Sequence, residues 1–193
     1  MAFTLALGQA APAFDLPGVD GRHYTLASFE DAQALVIVFS CNHCPYVVGS
    51  EDRMIAFYRD FAPQGVAMVA INSNETDNHP TDSFAHMVQH AQDRKLPFAY
   101  LRDASQDVAR AYGALRTPHY YLFDGQRKLV YTGRMDDNPR DAAKARTHEL
   151  RDAAEALLAG RQPPVALTNP IGCNVKWKSQ GEHWMPPDAC DLV

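Results

Sequence analysis

Hydrophobic and polar positions follow two different periods along the chain. Residues 34–40 (ALVIVFS) and 65–74 (GVAMVAINSN) are near-continuous apolar runs, the pattern of strands buried on both faces of a parallel sheet. After Pro45, apolar residues recur at helical spacing until Pro63 and Gly65 interrupt them. Strands that alternate with helices favour an α/β sheet with its site at the carboxyl ends of the strands.

Turn signals place the remaining elements. Residues 11–29 alternate around a Gly-Val-Asp-Gly turn and predict an N-terminal β-hairpin that leads into a short helix. Residues 119–133 predict a second hairpin around Asp124-Gly125. The other predicted elements are a helix capped by Thr81 or Asp82 and reaching about residue 92, a strand over 98–101, a helix over 105–115, and a helix marked by Leu150, Ala154, Leu157 and Leu158.

A change in pattern divides the chain near residue 162. Gly160 and then Pro163-Pro164 end the last predicted helix, so we predict one domain over residues 1–162 and a tail over residues 163–193. Within the tail, Ile171, Val175 and Trp177 alternate, which predicts that it adds a strand or lies over the domain. Trp177 and Trp184 are expected to anchor it by packing.

Composition and charge exclude several functional classes. The chain has 193 residues, 46% hydrophobic and 21% charged, which is enough for one domain with a full core. The net charge of −5 gives no basic surface for nucleic acid. Residues 32–50 carry no charged residue, but polar residues interrupt them, so we expect no membrane span. The first residues lack the pattern of a secretory signal, so we expect the mature chain to begin near Met1 and to act in the cytoplasm.

Two cysteines in C-x-x-C spacing follow the first buried strand. Such a dithiol exchanges disulfides by thiolate attack and resolution, which calls for an exposed first thiol of low pKa. We predict that Cys41 attacks and Cys44 resolves, with a helix that starts at Pro45 stabilising the first thiolate. His43 lies between them, and its protonated ring would favour a Cys41 thiolate; alternatively it is an exposed residue of little effect.

A zinc site is the other use of this spacing. Cys41 and Cys44 make half of one, and the residues available to complete it are Cys173, Cys190, His43 and His183. The chain lacks a second closely spaced cysteine pair, so a redox dithiol is the better interpretation. Two plain buried cysteines are a further alternative.

Several motifs together resemble a known family. The segments SCNHCPYV, RTPHYYLF, YTGRMDD and NPIGCNVKWK, with the opening APAFDLPGVDGRHYTLASF, resemble the redoxin (alkyl hydroperoxide reductase/thiol-specific antioxidant) branch of the thioredoxin-like superfamily, in a bacterial subfamily. The resemblance covers nearly the whole chain. It implies a thioredoxin fold with an N-terminal hairpin extension and an irregular C-terminal tail.

The resemblance also implies roles for single residues. Pro118 would follow a cis peptide bond and face the dithiol, and the backbone of Thr117 would pair with a bound substrate strand. The alternative is an ordinary trans proline at the start of a strand. Asn42 and Tyr46, as motif neighbours, would line the rim of the groove.

The sequence departs from the family pattern at two places. Leu35 stands where thioredoxin has a buried acid, so another group or water must handle protons; Glu75 is a candidate base, and a solvated loop carboxylate is the alternative. The peroxidase pattern Pro-x-x-x-Thr-x-x-Cys is not kept in either register of the dithiol. Arg134 would supply the supporting guanidinium, unless it pairs with Asp136 or Asp137 on the surface.

We therefore expect a thiol–disulfide oxidoreductase. Its partners would be protein or low-molecular-weight thiols and disulfides and an external reductant or oxidant, with no cofactor, nucleic acid or membrane. The alternatives are a thiol peroxidase and a non-catalytic binding module that holds a structural disulfide or zinc. Cys173 is either a third redox thiol or a small buried hydrophobe, and Cys190 is expected to be exposed.

Overall fold

The computed structural model describes residues 4–178, and regular elements cover much of that range. The strands are β1 (Asp15–Pro17), β2 (His23–Thr25), β3 (Ala34–Phe39), β4 (Val66–Asn72), β5 (Ala99–Arg102), β6 (Arg116–Thr117), β7 (His119–Phe123), β8 (Leu129–Gly133) and β9 (Cys173–Asn174). The α-helices are α1 (Pro45–Phe61), α2 (Phe84–Arg94), α3 (Asp107–Tyr112) and α4 (Glu149–Leu158).

Five strands form the central sheet in the order β5-β4-β3-β7-β8. β3, β4 and β5 run parallel, whereas β7 pairs with β3 and β8 with β7 in antiparallel fashion. β3 is the middle strand, and all six of its residues are buried, as its unbroken apolar run predicts. The mixed α/β architecture expected from the sequence is confirmed.

Two apolar clusters cover the two faces of the sheet. Val36 and Val38 of β3 face the cluster that contains residues of α1, α2 and α4. Leu35, Ile37 and Phe39 face the other cluster, to which α3 and the N-terminal segment contribute. Alternate residues of one strand point to opposite faces, so β3 is fixed from both sides and its carboxyl end has a defined position.

The described part of the tail packs on the domain. Val175 and Trp177 are buried in the same cluster as Leu35, whereas Ile171 is half-buried. β9 pairs antiparallel with β6. Upstream, the backbone of the tail bonds to β8 through Thr132. Up to residue 178, the tail is thus docked on the domain and adds a short strand.

Both hairpins form where they are predicted, but the start of α2 differs. β1 pairs with β2, and β7 pairs with β8, around the predicted turns. Thr81 and Asp82 do not cap α2, because they belong to a 3₁₀ turn and the helix begins at Phe84 after an extended Ser83. The carboxylate of Asp82 is fully buried and engaged elsewhere. Within residues 4–178, no helix is long and apolar enough to cross a membrane.

Candidate functional site: a buried dithiol beside a cis-proline loop

Strand register brings the dithiol and the proline loop together. Phe39, the last residue of β3, lies opposite His119, the first residue of β7. Continuing that antiparallel register places Thr117-Pro118 beside the loop that carries Cys41. The Thr117–Pro118 peptide bond is cis, as the resemblance implies.

Thr117 contacts both sulfur atoms. Cys41 Sγ lies 3.5 Å from Thr117 Oγ1, and Cys44 Sγ lies 3.1 Å from the carbonyl oxygen of Thr117. The two thiols are neighbours, and each changes the pKa of the other. Both cysteines are free thiols in the structure. The arrangement therefore brings two thiols into mutual contact at the carboxyl end of the central strand.

Neither thiol is open to solvent in this state. Cys41 is 1% exposed and Cys44 is 0% exposed, so the expectation of an exposed Cys41 is wrong here. Thr117 contacts both sulfurs, and Cys173 of the docked tail lies opposite Thr117, so these residues cover the pair. The expected rim residues Asn42 and Tyr46 are half-buried beside the pair.

The environment raises the pKa of one thiol and lowers that of the other. The hydrogen bond shared with Cys44, burial and the charge of Asp82 raise the pKa of Cys41. The hydrogen bond from Cys41 lowers the pKa of Cys44, aided by Cys173 and by the backbone amide of Val47 in the first turn of α1. Burial opposes this decrease.

The predicted helix effect therefore falls on the second thiol. Cys44 is the N-cap residue of α1, and Cys41 lies one turn outside the helix. The positive end of the helix dipole and the amides of the first turn act within about one turn. The expectation of a lowered pKa at Cys41 is wrong, because its interaction with Cys44, burial and the charge of Asp82 favour the protonated thiol.

Asp82 is the buried carboxylate next to the dithiol, and it was missed as a site residue. Its Oδ1 accepts from the backbone N–H of Asn42 at 2.7 Å and from Asn72 Nδ2 at 3.2 Å. Its Oδ2 accepts from Asn74 Nδ2 at 2.8 Å. A signal was present: polar residues follow the buried run of β4, at the strand end where α/β sites lie.

His43 faces this carboxylate. Its Nδ1 lies 2.7 Å from Asp82 Oδ2, at ion-pair distance, although the angle is not that of a hydrogen bond. The ring stacks on His79 with centroids 5.3 Å apart. His43 is thus partly buried and held in place rather than freely exposed. Its tuning of Cys41 stays a prediction.

Glu75 is buried in a loop and serves to hold that loop. It is 3% exposed, pairs with His79 and accepts from the backbone N–H groups of Asp77 and Asn78. Its own N–H donates to the carbonyl of Lys176 in the tail. The alternative of a solvated loop carboxylate is therefore wrong. Its ion-pair partner His79 stacks on His43, which links Glu75 indirectly to the loop of the dithiol.

Arg134 lies in another network. Its guanidinium pairs with Glu149, with Nε 2.9 Å from Oε1, and not with either of the predicted aspartates. Asp136 instead pairs with Arg53, and Asp137 accepts from backbone amides. No described contact joins Arg134 to the thiols in the part of the chain that the structure covers, so the structure gives no support for a peroxidase guanidinium there.

Cys173 reaches the dithiol from the tail. In the β6–β9 pair it stands directly opposite Thr117. Burial and the neighbouring Cys44 raise the pKa of Cys173 to about 11. It is half-buried rather than fully buried, and its role as a third redox thiol stays a prediction. Cys190, His183 and Trp184, which the sequence also singled out, lie outside the described residues.

Three ligand-type side chains come within 4.8 Å of one another among residues 4–178. They are Cys41, His43 and Asp82. They supply three ligands, one short of the four that structural zinc takes. Both oxygens of Asp82 already accept N–H donors, so a metal would have to displace existing hydrogen bonds. A redox dithiol requires no displacement of these hydrogen bonds.

Solved structures show the same fold. A hypothetical protein from Sinorhizobium meliloti 1021 superposes with a TM-score of 0.86 at 40% identity, over 91% of this chain and 97% of that chain. The thioredoxin domain of a thiol-disulfide oxidoreductase from Bacteroides vulgatus superposes with a TM-score of 0.59 at 18% identity, over 73% of this chain and 97% of that chain. The second likeness identifies the fold as that of thioredoxin.

Curated relatives carry two different redox names. Chloroplastic peroxiredoxin Q from Suaeda salsa is 25% identical over 140 residues, which cover 66% of this chain but only 60% of that protein. Thiol-disulfide oxidoreductase ResA from Geobacillus thermodenitrificans is 26% identical over 133 residues, 68% of this chain and 72% of that protein. A family model described as AhpC/TSA family matches residues 7–132. More than half of the chain is thereby covered, and the protein belongs to the AhpC/TSA family of redoxins within the thioredoxin-like superfamily.

Proposed function

We propose that the protein is a thiol–disulfide oxidoreductase that cycles between a Cys41/Cys44 dithiol and a disulfide. The observation that supports this most strongly is that two free thiols both contact one residue, Thr117. Thiols this close form a disulfide when one attacks a substrate and the other resolves the product. The relative named as a thiol-disulfide oxidoreductase supports the same activity.

When Cys44 is a thiolate, the pair of cysteines holds one proton and one negative charge. Both are used in the two steps of the exchange. The Cys41 proton passes to Cys44 along their hydrogen bond, and the Cys41 thiolate attacks a substrate disulfide and releases the first substrate sulfur. That sulfur takes the proton from Cys44. The Cys44 thiolate then attacks Cys41 Sγ, which forms the Cys41–Cys44 disulfide and releases the second substrate sulfur as a thiolate.

Substrates must reach a covered pair. Protein or low-molecular-weight disulfides would enter past the half-buried rim residues Asn42 and Tyr46. An external dithiol returns the protein to its reduced form by the reverse exchange, and no cofactor takes part.

A peroxidase is the second candidate, because one feature favours it. The hydroxyl of Thr117 lies 3.5 Å from Cys41, so the proline loop supplies a hydroxyl that the peroxidase motif would otherwise carry. A peroxide would oxidise the dithiol to the disulfide and leave as an alcohol and water. The relatives named peroxiredoxin Q agree with this candidate.

One pair of assays separates the two functions. Reduced protein is mixed with oxidised glutathione or with hydrogen peroxide, and loss of the Cys41 and Cys44 thiols is followed in time. We expect faster reaction with the disulfide, abolished by Cys41→Ser. Preferential reaction with peroxide at equal concentration would instead support the peroxidase. Unreactive thiols together with stoichiometric zinc would support a binding module.

A further inference from the structure

The described tail ends beside the dithiol, with a cysteine at the point of contact. β9 pairs with β6 so that Cys173 is opposite Thr117, the residue that contacts both catalytic sulfurs. The Cys173 side chain packs on the cluster that contains Cys41 and Cys44. Cys173 is thus a neighbour of the dithiol.

Close backbone packing fixes this position. Gly172 lies so near Thr117 that an added Cβ would stand 2.2 Å from the Thr117 carbonyl oxygen. On the other side, Val175 donates its N–H to the carbonyl of Leu115, and Trp177 is buried. Cys173 therefore lies between Gly172, which permits close contact with Thr117, and the buried Val175 and Trp177, which anchor the tail.

The tail is also joined to the loop behind the dithiol. The N–H of Lys176 donates to Asn74 Oδ1 at 2.9 Å, and its carbonyl accepts from Glu75 N–H at 2.8 Å. Gln106 Nε2 donates to the same carbonyl at 2.8 Å. These bonds come from backbone and buried groups, so the tail is a built part of the site.

We propose that Cys173 is a third redox thiol, which exchanges with the Cys41–Cys44 disulfide to form a Cys44–Cys173 disulfide. The inference rests on the proposed function, because that cycle produces the disulfide it uses. The sulfur of Cys173 attacks Cys44 Sγ, the Cys41–Cys44 bond breaks, and the proton of Cys173 moves to the departing Cys41. No net oxidation occurs, and Cys41 is a free thiol again while the tail is joined covalently to the site.

The state of Cys44 determines when Cys173 can react. The contact with Cys44 contributes to the raised pKa of Cys173 in the reduced protein. That contribution ends once Cys44 enters a disulfide, so Cys173 loses its proton more readily at that stage. Burial, the larger cause of the raised pKa, remains, so we expect the tail thiol to be a better nucleophile after oxidation than in the reduced enzyme.

The test removes Cys41 and Cys190, so that Cys173 is the remaining partner for Cys44. The Cys41→Ser/Cys190→Ser protein is equilibrated with glutathione buffers of increasing oxidation, blocked with an alkylating reagent and mapped by peptide mass spectrometry. We expect an intramolecular Cys44–Cys173 disulfide. Glutathione bound to Cys44 while Cys173 remains alkylated as a free thiol would overturn the proposal.

Two further variants make the result specific. Cys41→Ser/Cys173→Ser/Cys190→Ser is the matched control, in which Cys44 forms mixed disulfides only. Gly172→Ala in the test background pushes the tail away from Thr117 and lowers the equilibrium constant for ring closure by about tenfold or more. An unchanged constant would contradict the assigned geometry.

The third-thiol proposal can fail while the proposed function still holds. The Cys173→Ser/Cys190→Ser protein reports the Cys41–Cys44 pair alone in the same buffers. If that pair forms a disulfide and Cys44–Cys173 does not, only the third-thiol proposal fails. In the Cys190→Ser protein, where all three thiols are present, we expect both disulfides in the peptide map, and Cys41–Cys44 alone would again contradict the proposal.

Discussion

Asp82 places a buried negative charge beside Cys41. The hydrogen bond shared with Cys44 and burial contribute more to the raised pKa of Cys41, but the charge of Asp82 acts in the same direction. The carboxylate also holds the loop of the dithiol through the N–H of Asn42. One side chain therefore both positions the loop and disfavours a Cys41 thiolate in the resting state.

Replacing Asp82 by Asn should lower the pKa of Cys41. The measurement uses Cys44→Ser/Cys173→Ser/Cys190→Ser protein, in which Cys41 is the remaining thiol, and follows iodoacetamide alkylation against pH. Asp82→Asn should move the midpoint to lower pH, because a like charge is removed. Asp103→Asn is the control, since Asp103 is equally buried but accepts from Ser73 and Ala109. An equal shift in both variants would contradict the role of Asp82.

His119 makes stability depend on pH. It is fully buried directly after Pro118, and burial lowers its pKa to about 3. The unfolded chain has an ordinary histidine pKa of about 6.5, so between these values the unfolded state binds one proton more. This contribution to stability is complete above pH 6.5 and is lost as the pH falls towards 3.

Denaturant titrations from pH 7 to pH 4 measure that contribution. Below pH 6.5 it amounts to about 1.4 kcal/mol per pH unit. His119→Asn should reduce the slope of unfolding free energy against pH by about that amount, whereas the exposed His86→Asn should leave it nearly unchanged. Equal slopes for the wild type and His119→Asn would contradict a neutral buried His119.

At the level of elements, the tail behaves as a strand with two anchors. β9 is only two residues long, and a ladder this short has little stability of its own. Burial of Val175 and Trp177 supplies the apolar contact that holds it. The position of Cys173 therefore depends on side chains two and four residues further along.

Trp177→Ala should release the tail without unfolding the sheet. Loss of a buried tryptophan costs about 3–5 kcal/mol where the structure cannot collapse around it. Hydrogen exchange should show lost protection at Val175 and Lys176, with β3 still protected. Leu167→Ala, in an exposed part of the tail, is the control. Protection that falls equally in β3 and the tail would contradict local release.

The local sequence pattern predicted most of the helices and strands and some of their boundaries. The Asp124-Gly125 hairpin and the run of β3 depend on neighbours in sequence, so both were predictable. The start of α2 was not, because Asp82 is a good cap by propensity but binds Asn42 and Asn74 from distant segments. Long-range hydrogen bonds of this kind have no periodic signal.

At the scale of the whole molecule, the site is assembled from four separate stretches of chain. The loop after β3, the loop after β4, the cis-proline loop and the tail meet around the two sulfurs. Sequence motifs identified the first, the third and, as a weaker candidate, Cys173. Which thiol the helix stabilises required the structure, because it depends on Cys44 being the N-cap of α1.

A redox titration of the Cys41/Cys44 pair is the most direct test of the proposed dithiol–disulfide cycle. Cys173→Ser/Cys190→Ser protein is equilibrated in glutathione or dithiothreitol buffers and analysed by mass spectrometry after alkylation. We expect a single two-electron transition to an intramolecular disulfide; a midpoint of roughly −270 mV would indicate a reductase and one of about −120 mV an oxidant. Two thiols that stay reduced, or form only intermolecular disulfides, at every potential would contradict the proposed cycle.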